Sequence, residues 1–310
     1  MAPDIDRLGI HESVAAVFPP EVLMEALADT GPTVAVIGDD DVGDVDAVVT
    51  FDHHEDFVTD VEWIHSIQAG YDKFPLDALR GNGVVLTNSS GIHGESVGES
   101  VVGLMLSLAR RLHTYVEAQA AHEWDRPRWD EPFTLFDESL CVVGLGTLGQ
   151  GVARRAAGMD MAVTGVRRTP TRVPHVREVY TPDELHAAVE DARFVAVTVP
   201  LTDDTEGMFG PEEFEAMRDD AYLVNVARGP VVQQDALVEA LEEGTIAGAA
   251  LDVFEEEPLP ADSPLWDVDD VLVTPHVAAM ERGYYENVQR LVRENLRLLA
   301  AGDEPVNRIV

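Results

Sequence analysis

Three side chains whose chemistry is complementary follow apolar runs in the C-terminal half of the chain. Arg228 comes after Leu223-Val224-Asn225-Val226-Ala227, Glu257 lies in Asp252-Val253-Phe254-Glu255-Glu256-Glu257-Pro258, and His276 follows Val271-Leu272-Val273-Thr274-Pro275. A guanidinium is a permanent cation shaped for carboxylates, and an imidazole exchanges protons near neutral pH. Loops at the carboxyl ends of parallel strands are where such groups form sites. Taken singly, each has an ordinary reading as a turn cap, one member of an acidic run and a surface histidine. A second kind of chemistry lies in Gly144-Leu145-Gly146-Thr147-Leu148-Gly149. The apolar run Leu140-Cys141-Val142-Val143 precedes it, and a helical pattern through Val152, Ala153, Ala156 and Ala157 follows. Strand, glycine turn and helix is the context that dinucleotide phosphates require. Gly144 permits the tight turn, Gly146 lets backbone approach a pyrophosphate, and Gly149 lets helix and strand pack closely. The helix N-terminus then offers free N–H groups to the phosphates.

The choice of dinucleotide is read one strand later. An NAD site usually has Asp or Glu at the end of the second strand, bonded to the ribose 2′-hydroxyl. Here residues 161–166 end in Arg167-Arg168-Thr169-Pro170, with no acid. Two guanidiniums and a hydroxyl suit a 2′-phosphate, so NADP(H) is expected over NAD(H). If the arginines are only a solvated pair, NAD(H) is accepted as well.

These residues need a scaffold, and the pattern predicts one. Strand signals fall at residues 7–10, 33–37, 47–51, 63–67 and 84–87, with helical stretches opening at Pro19-Pro20 and between 52 and 61. A long helix is expected over 95–120, where Val97, Val101, Leu104, Met105, Leu108 and Leu112 recur at helical spacing. After the fingerprint, strands are expected at 161–166, 194–199, 221–226, 246–251 and 271–273, and a last amphipathic helix at 284–299. Alternating strands and helices predict an α/β chain with parallel, doubly wound sheets and ligands at the carboxyl ends of the strands. The segment 121–132 reads as a loop with Trp124, Trp129, Pro127 and Pro132, of a kind that reaches a partner subunit.

Composition narrows the classes. Asp and Glu total 58 against 21 Lys plus Arg, for a formal net charge of −37, and Lys73 is the only lysine. The acidity is dispersed. Such a surface resembles proteins that work in molar salt, where a Debye length of about 3 Å screens self-repulsion. It argues against nucleic acid as a partner. A single cysteine, Cys141, excludes an intramolecular disulfide and reads as a core residue. The start Met1-Ala2-Pro3-Asp4 lacks the basic and apolar regions of a signal peptide, and no apolar run reaches membrane-spanning length. No membrane is therefore expected, and the chain is placed in a high-salt cytoplasm. His53-His54-Glu55 is not read as a metal site, because adjacent histidines rarely face one ion.

In order along nearly the whole chain, six pieces resemble the D-isomer-specific 2-hydroxyacid dehydrogenase family, most of all its haloarchaeal 2-ketoacid reductases. They are Ser66-Ile67-Gln68-Ala69-Gly70-Tyr71-Asp72, the glycine fingerprint, Val199-Pro200-Leu201-Thr202, Asn225-Val226-Ala227-Arg228-Gly229, Asp252-Val253-Phe254-Glu255-Glu256-Glu257-Pro258-Leu259 and Thr274-Pro275-His276. The resemblance implies two Rossmann- or flavodoxin-like domains with an interdomain cleft. A substrate domain would comprise residues 1–91 and 282–310, and a dinucleotide domain residues 92–281. It implies stereospecific reduction of 2-ketoacids to D-2-hydroxyacids, with closure excluding water.

The resemblance also assigns roles. His276 would protonate the ketone oxygen, with Glu257 bonding the other ring nitrogen, fixing its orientation and favouring the imidazolium. Arg228 would grip the substrate carboxylate and polarise the carbonyl, and the N–H groups of Ala69 and Gly70 would complete that site. The cofactor would be bound by Gly144, Gly146, Thr147, Leu148, Gly149, Arg167, Arg168, Thr169, Thr198, Val199, Pro200, Thr205, Val226, Ala227, Asp252 and His276. Val97 would touch the nicotinamide region, and Asp252 would bond its amide. This chain departs from the family in lacking the acid after the second strand. It also has Thr198 where many relatives have histidine and Gly98 where many have alanine. A homodimer is implied, consistent with the tryptophan loop. Glyoxylate/hydroxypyruvate reductase and phosphoglycerate dehydrogenase are alternatives within the class. The latter often carries a further regulatory domain, for which 310 residues leave no room. From another class, a corepressor-like NAD(P)-sensing protein is the alternative. Position alone suggests Tyr71, Leu76 and Met280 for the pocket wall.

Overall fold

The computed structural model describes residues 5–310; residues 1–4, on which the reading of the N-terminus rests, lie outside them. The described chain divides into two units, one of residues up to Ile92 together with Met280–Val310, the other His93–Ala279. The first runs β1 (Arg7–His11), α1 (Pro20–Leu27), β2 (Thr33–Ile37), β3 (Ala47–Thr50), α2 (Phe57–Asp60), β4 (Trp63–Ser66), α3 (Leu76–Asn82) and β5 (Val85–Asn88). The second runs α4 (Gly94–Ala109), α5 (Leu112–Ala121), β6 (Ser139–Val143), α6 (Thr147–Gly158), β7 (Ala162–Val166), β8 (Val179–Tyr180), α7 (Leu185–Val189), β9 (Phe194–Val197), α8 (Pro211–Ala216), β10 (Tyr222–Asn225), α9 (Gln234–Glu242), β11 (Gly248–Leu251) and β12 (Val271–Val273). The last helix, α10 (Tyr284–Ala301), returns to the first unit.

Each unit is built on a wholly parallel sheet, as the alternating pattern predicted. The five-stranded sheet has order β2-β1-β3-β4-β5, and the seven-stranded sheet has order β12-β11-β10-β9-β6-β7-β8. Parallel strands covered on both faces must be apolar on both. In β6, Leu140 and Val142 pack with Val97, Val101 and Met105 of α4 and Val152 and Ala156 of α6. Cys141 and Val143 face the opposite core with Phe209, Phe214 and Leu223. This two-residue alternation is why the run shows no polar face in sequence. Cys141 is fully buried, and burial pushes its thiol up to about 12, which leaves it an inert core group.

The structure departs from the expected elements in two places. The helix expected over 95–120 is broken: Arg111 is left-handed (φ 56°), ending α4 and capping α5. Arg111 and His113 both reach Asp270, the latter at 3.1 Å, and these contacts hold the bend. The helical phase resets there, so Leu112, which fitted the apolar stripe, is 45% exposed and α5 buries no residue. The two-residue strand β8 carries no pattern of its own and is defined only by pairing beside β7. Leu76, suggested for the pocket wall, packs against the first unit's core. Among the described residues, no helix is long and apolar enough to cross a membrane.

Candidate active site

The glycine turn is built as its spacing demands. Gly144 has φ 103°, and a Cβ there would stand 2.8 Å from Val199 N, so a side chain is excluded by both conformation and space. A Cβ on Gly149 would lie 1.9 Å from the Gly144 carbonyl oxygen. Thr198 Oγ1 donates to that same oxygen at 2.6 Å, and its burial makes it a clasp on the turn. Gly146 differs, since nothing lies within 4 Å of where its Cβ would be. It precedes α6, whose first turn has no side-chain cap and no acid. Orphan N–H groups therefore meet open space at a helix N-terminus, which fits a dinucleotide pyrophosphate.

Arg167 and Arg168 lie just past β7, where the Arg167 N–H bonds the Tyr180 carbonyl at 3.0 Å. Neither guanidinium pairs with a carboxylate among the described residues. Thr169 beside them is exposed. On the far side of the turn, Thr205 Oγ1 donates to the Pro200 carbonyl at 2.6 Å and closes the loop after β9.

The three candidate catalytic side chains project from loops after β10, β11 and β12, all in the second unit. Asn225, at the end of β10 and almost wholly buried, accepts from Ala227 N at 3.1 Å and donates to the Arg228 carbonyl at 3.2 Å. Its amide thus shapes the turn that presents Arg228. Gly229 follows, and a Cβ on it would sit 1.8 Å from the Phe254 carbonyl carbon. Only glycine lets the Arg228 loop approach the Glu257 loop this closely.

Glu257 and His276 meet directly, with His276 Nδ1 2.8 Å from Glu257 Oε2. The other carboxylate oxygen accepts from Phe254 N at 3.1 Å. Burial opposes ionisation of Glu257. The hydrogen bond and charge of His276, the Phe254 N–H and the charge of Arg228 outweigh it and hold the carboxyl below its usual range. The side chains are 43% and 37% exposed for His276 and Glu257, so the pair is open to a ligand and to solvent. His93 opens the second unit. Burial and then the charge of Arg228 lower it to about 4, so a neutral imidazole neighbours the guanidinium.

Asp252 has a further place beside the one its resemblance implied. It is 2% exposed, and its Oδ1 accepts from Thr274 Oγ1 at 2.5 Å and from Val277 N at 2.9 Å. Its Oδ2 accepts from Ala278 N at 2.9 Å, and its carbonyl accepts from His276 N at 2.8 Å. These bonds enclose His276, whose backbone is left-handed (φ 54°), a conformation that persists in a non-glycine residue only where its surroundings impose it. Val97, on α4, is 2% exposed and packs in the core with Leu140 and Val142. Val226 and Ala227 are likewise buried core residues. Ala69 and Gly70 lie in the first unit, past β4. Asn225 and Thr274 were missed as functional residues; their signal in sequence is a polar residue at the end of an apolar run.

His53 and His54 are drawn into packing. His53 stands edge-on to Phe57 at 6.1 Å, and His54 Nε2 lies 3.5 Å from Asp39 Oδ1.

A model of the D-isomer specific 2-hydroxyacid dehydrogenase NAD-binding domain matches residues 102–278. Glyoxylate/hydroxypyruvate reductase B of Yersinia pestis is 35% identical over 234 residues, covering 74% of this chain and 72% of its own length. A D-isomer specific 2-hydroxyacid dehydrogenase family protein from Aeromonas salmonicida superposes with a TM-score of 0.85 at 28% identity, covering 98% of each chain. An NADPH-dependent glyoxylate/hydroxypyruvate reductase from Sinorhizobium meliloti, solved with NADP and sulfate, gives 0.81 at 27% identity, also covering 98% of each.

Proposed function

This chain belongs to the D-isomer specific 2-hydroxyacid dehydrogenase family, oxidoreductases acting on CH–OH groups with NAD(P), and on that footing we propose that it reduces 2-ketocarboxylic acids to D-2-hydroxycarboxylic acids with NADP(H) preferred. The observation that carries the proposal is the 2.8 Å contact between His276 and Glu257, with the charge of Arg228 felt at the same carboxylate. When bound, the dihydronicotinamide would supply the hydride. His276 delivers a proton from Nε2 to the ketone oxygen, because Nδ1 is committed to Glu257. Glu257 fixes the ring and compensates the imidazolium charge. Arg228 binds the substrate carboxylate and stabilises negative charge developing on the ketone oxygen. Asp252 holds the loop and keeps lone-pair capacity for the nicotinamide amide. Ala69 and Gly70 are assigned to the substrate carboxylate.

The unpaired Arg167 and Arg168 with Thr169 support the preference for a 2′-phosphate, and a similar structure was solved with NADP. Glyoxylate and hydroxypyruvate are the first substrates to try, since similar proteins are named as their reductases. Trp124 and Trp129 are more than nine-tenths exposed on a helix–loop segment that buries little, which supports a homodimer. The net charge of −37 supports a high-salt cytoplasm as the working medium.

The test is NADPH oxidation in molar salt with glyoxylate, hydroxypyruvate, pyruvate, 2-ketobutyrate and 2-ketohexanoate. Turnover is expected with at least one, and His276→Ala should lower kcat on the order of a thousandfold, as loss of a general acid does. Tight NADPH binding with no turnover of any ketoacid would favour a sensor and refute the reductase.

A further inference from the structure

The turn after β4 in the first unit has its polar groups sorted by direction. The Ile67 carbonyl accepts from Tyr284 Oη at 2.8 Å. The Gln68 carbonyl accepts from Ser89 N at 2.9 Å, and the Ala69 carbonyl from Asn88 Nδ2 at 2.6 Å. Gln68 is pinned twice more, by its amide on the Phe51 carbonyl at 2.8 Å and by its N–H on Ser66 Oγ at 3.2 Å. The N–H groups of Ala69 and Gly70, in contrast, bond to no described residue. Three consecutive carbonyls are thus held by donors, and the two N–H groups beside them remain available to an anion.

A turn of this kind is easily spoiled. Rotation of one peptide plane exchanges an N–H for a carbonyl oxygen, which repels a carboxylate. What resists that rotation here is long-range. Tyr284 is the first residue of α10, more than two hundred positions from Ile67, and its hydroxyl is buried. Burial raises its pKa, so it keeps its proton and remains a donor. Asn88 is 1% exposed at the end of β5, and its Oδ1 accepts from Ser90 N at 3.1 Å, which orients its NH₂ toward Ala69.

We propose that Tyr284 and Asn88 are positioning residues for the substrate carboxylate, holding the Ile67 and Ala69 carbonyls aside so that the Ala69 and Gly70 N–H groups face the anion. The proposal rests on the ketoacid reading above, because it takes the anion to be a 2-ketocarboxylate. It extends the site to the C-terminal helix, which no motif near the turn announces.

Tyr284→Phe keeps the ring and removes the hydroxyl that donates to the Ile67 carbonyl. Asn88→Asp keeps the acceptor for Ser90 and removes the donor to Ala69, and it covers the case in which Tyr284→Phe fails to fold. Each should raise KM for glyoxylate or pyruvate about tenfold, the effect of one buried hydrogen bond, with kcat within about twofold and NADPH affinity unchanged. Amide NMR with oxamate, an unreactive ketoacid analogue, supplies a readout independent of turnover. In the wild type the Ala69 and Gly70 signals should move, and in the variants the same movement should need about tenfold more oxamate, from the same lost bond. Variants with lowered Tm but wild-type KM and oxamate response would make both residues merely structural and overturn the proposal. So would a wild type that reduces ketoacids while its Ala69 and Gly70 signals ignore oxamate. A wild type inert toward ketoacids, with oxamate shifts still weakened in the variants, would uphold the turn and remove the reductase reading instead.

Discussion

Arg167 and Arg168 draw attention at the scale of single residues because cations are scarce in this chain and many arginines elsewhere in it are ion-paired. Arg155 meets Glu95 and Glu99, Arg218 meets Asp220, and Arg297 meets Glu294. A guanidinium without a carboxylate partner can receive an anion, and the end of the second strand of a dinucleotide unit is where a 2′-phosphate would be read. Replacing both by serine should lower kcat/KM for NADPH on the order of a hundredfold, since hydrogen bonds to charged groups contribute about 1.5–3 kcal/mol each. The value for NADH should change little. Steady-state kinetics with both cofactors checks this, and an equal fall for both would show that the pair does not read the phosphate. This position was legible in sequence because a missing acid and two adjacent arginines are local facts. Asn225 was not, because its function depends on which backbone groups lie opposite its amide.

Among the elements, the loop after β12 shows how a candidate catalytic side chain, His276, is aimed by residues that need not touch substrate. His276 is left-handed, and Asp252 on the neighbouring strand end gathers Thr274, His276, Val277 and Ala278 around it. Thr274→Val preserves shape and removes one donor to a buried carboxylate. The expected result is a roughly tenfold or greater fall in kcat, from the loss of a charge-assisted hydrogen bond, with a smaller change in KM. Faster hydrogen exchange at Val277 and Ala278 should accompany it. Normal kcat together with normal exchange would remove Asp252 from the positioning of His276. The positions of most strands were legible, because strands covered on both faces must be apolar throughout. The break at Arg111 was not, since Asp270 is distant in sequence and hydrophobic spacing alone continued across the bend.

For the whole molecule, the governing quantity is charge. A net charge of −37 with one lysine means that the folded chain repels itself in dilute buffer. Raising salt from about 0.1 M to about 1 M shortens the Debye length from about 10 Å to about 3 Å. The melting temperature should therefore rise steeply over that range, followed by circular dichroism at fixed pH. An equal Tm at both ends would end the high-salt reading. The exposed tryptophans belong to this scale too: neither Trp124 nor Trp129 finds cover on its own chain.

By itself, the sequence determined the α/β class, the glycine turn and the cationic strand end, and it singled out Arg228, Glu257 and His276 as candidates. Each of these is written in neighbouring residues or in a period of two or about four. Tertiary structure alone decided that His276 Nδ1 faces Glu257, that Asp252 braces the loop carrying His276, that Val97 is core, and that Tyr284 and Asn88 hold the Ile67 and Ala69 carbonyls. The physical reason is directional. Hydrophobic burial repeats along a chain and can be read from it, whereas a hydrogen bond depends on where two groups distant in sequence point once the strands have been laid side by side.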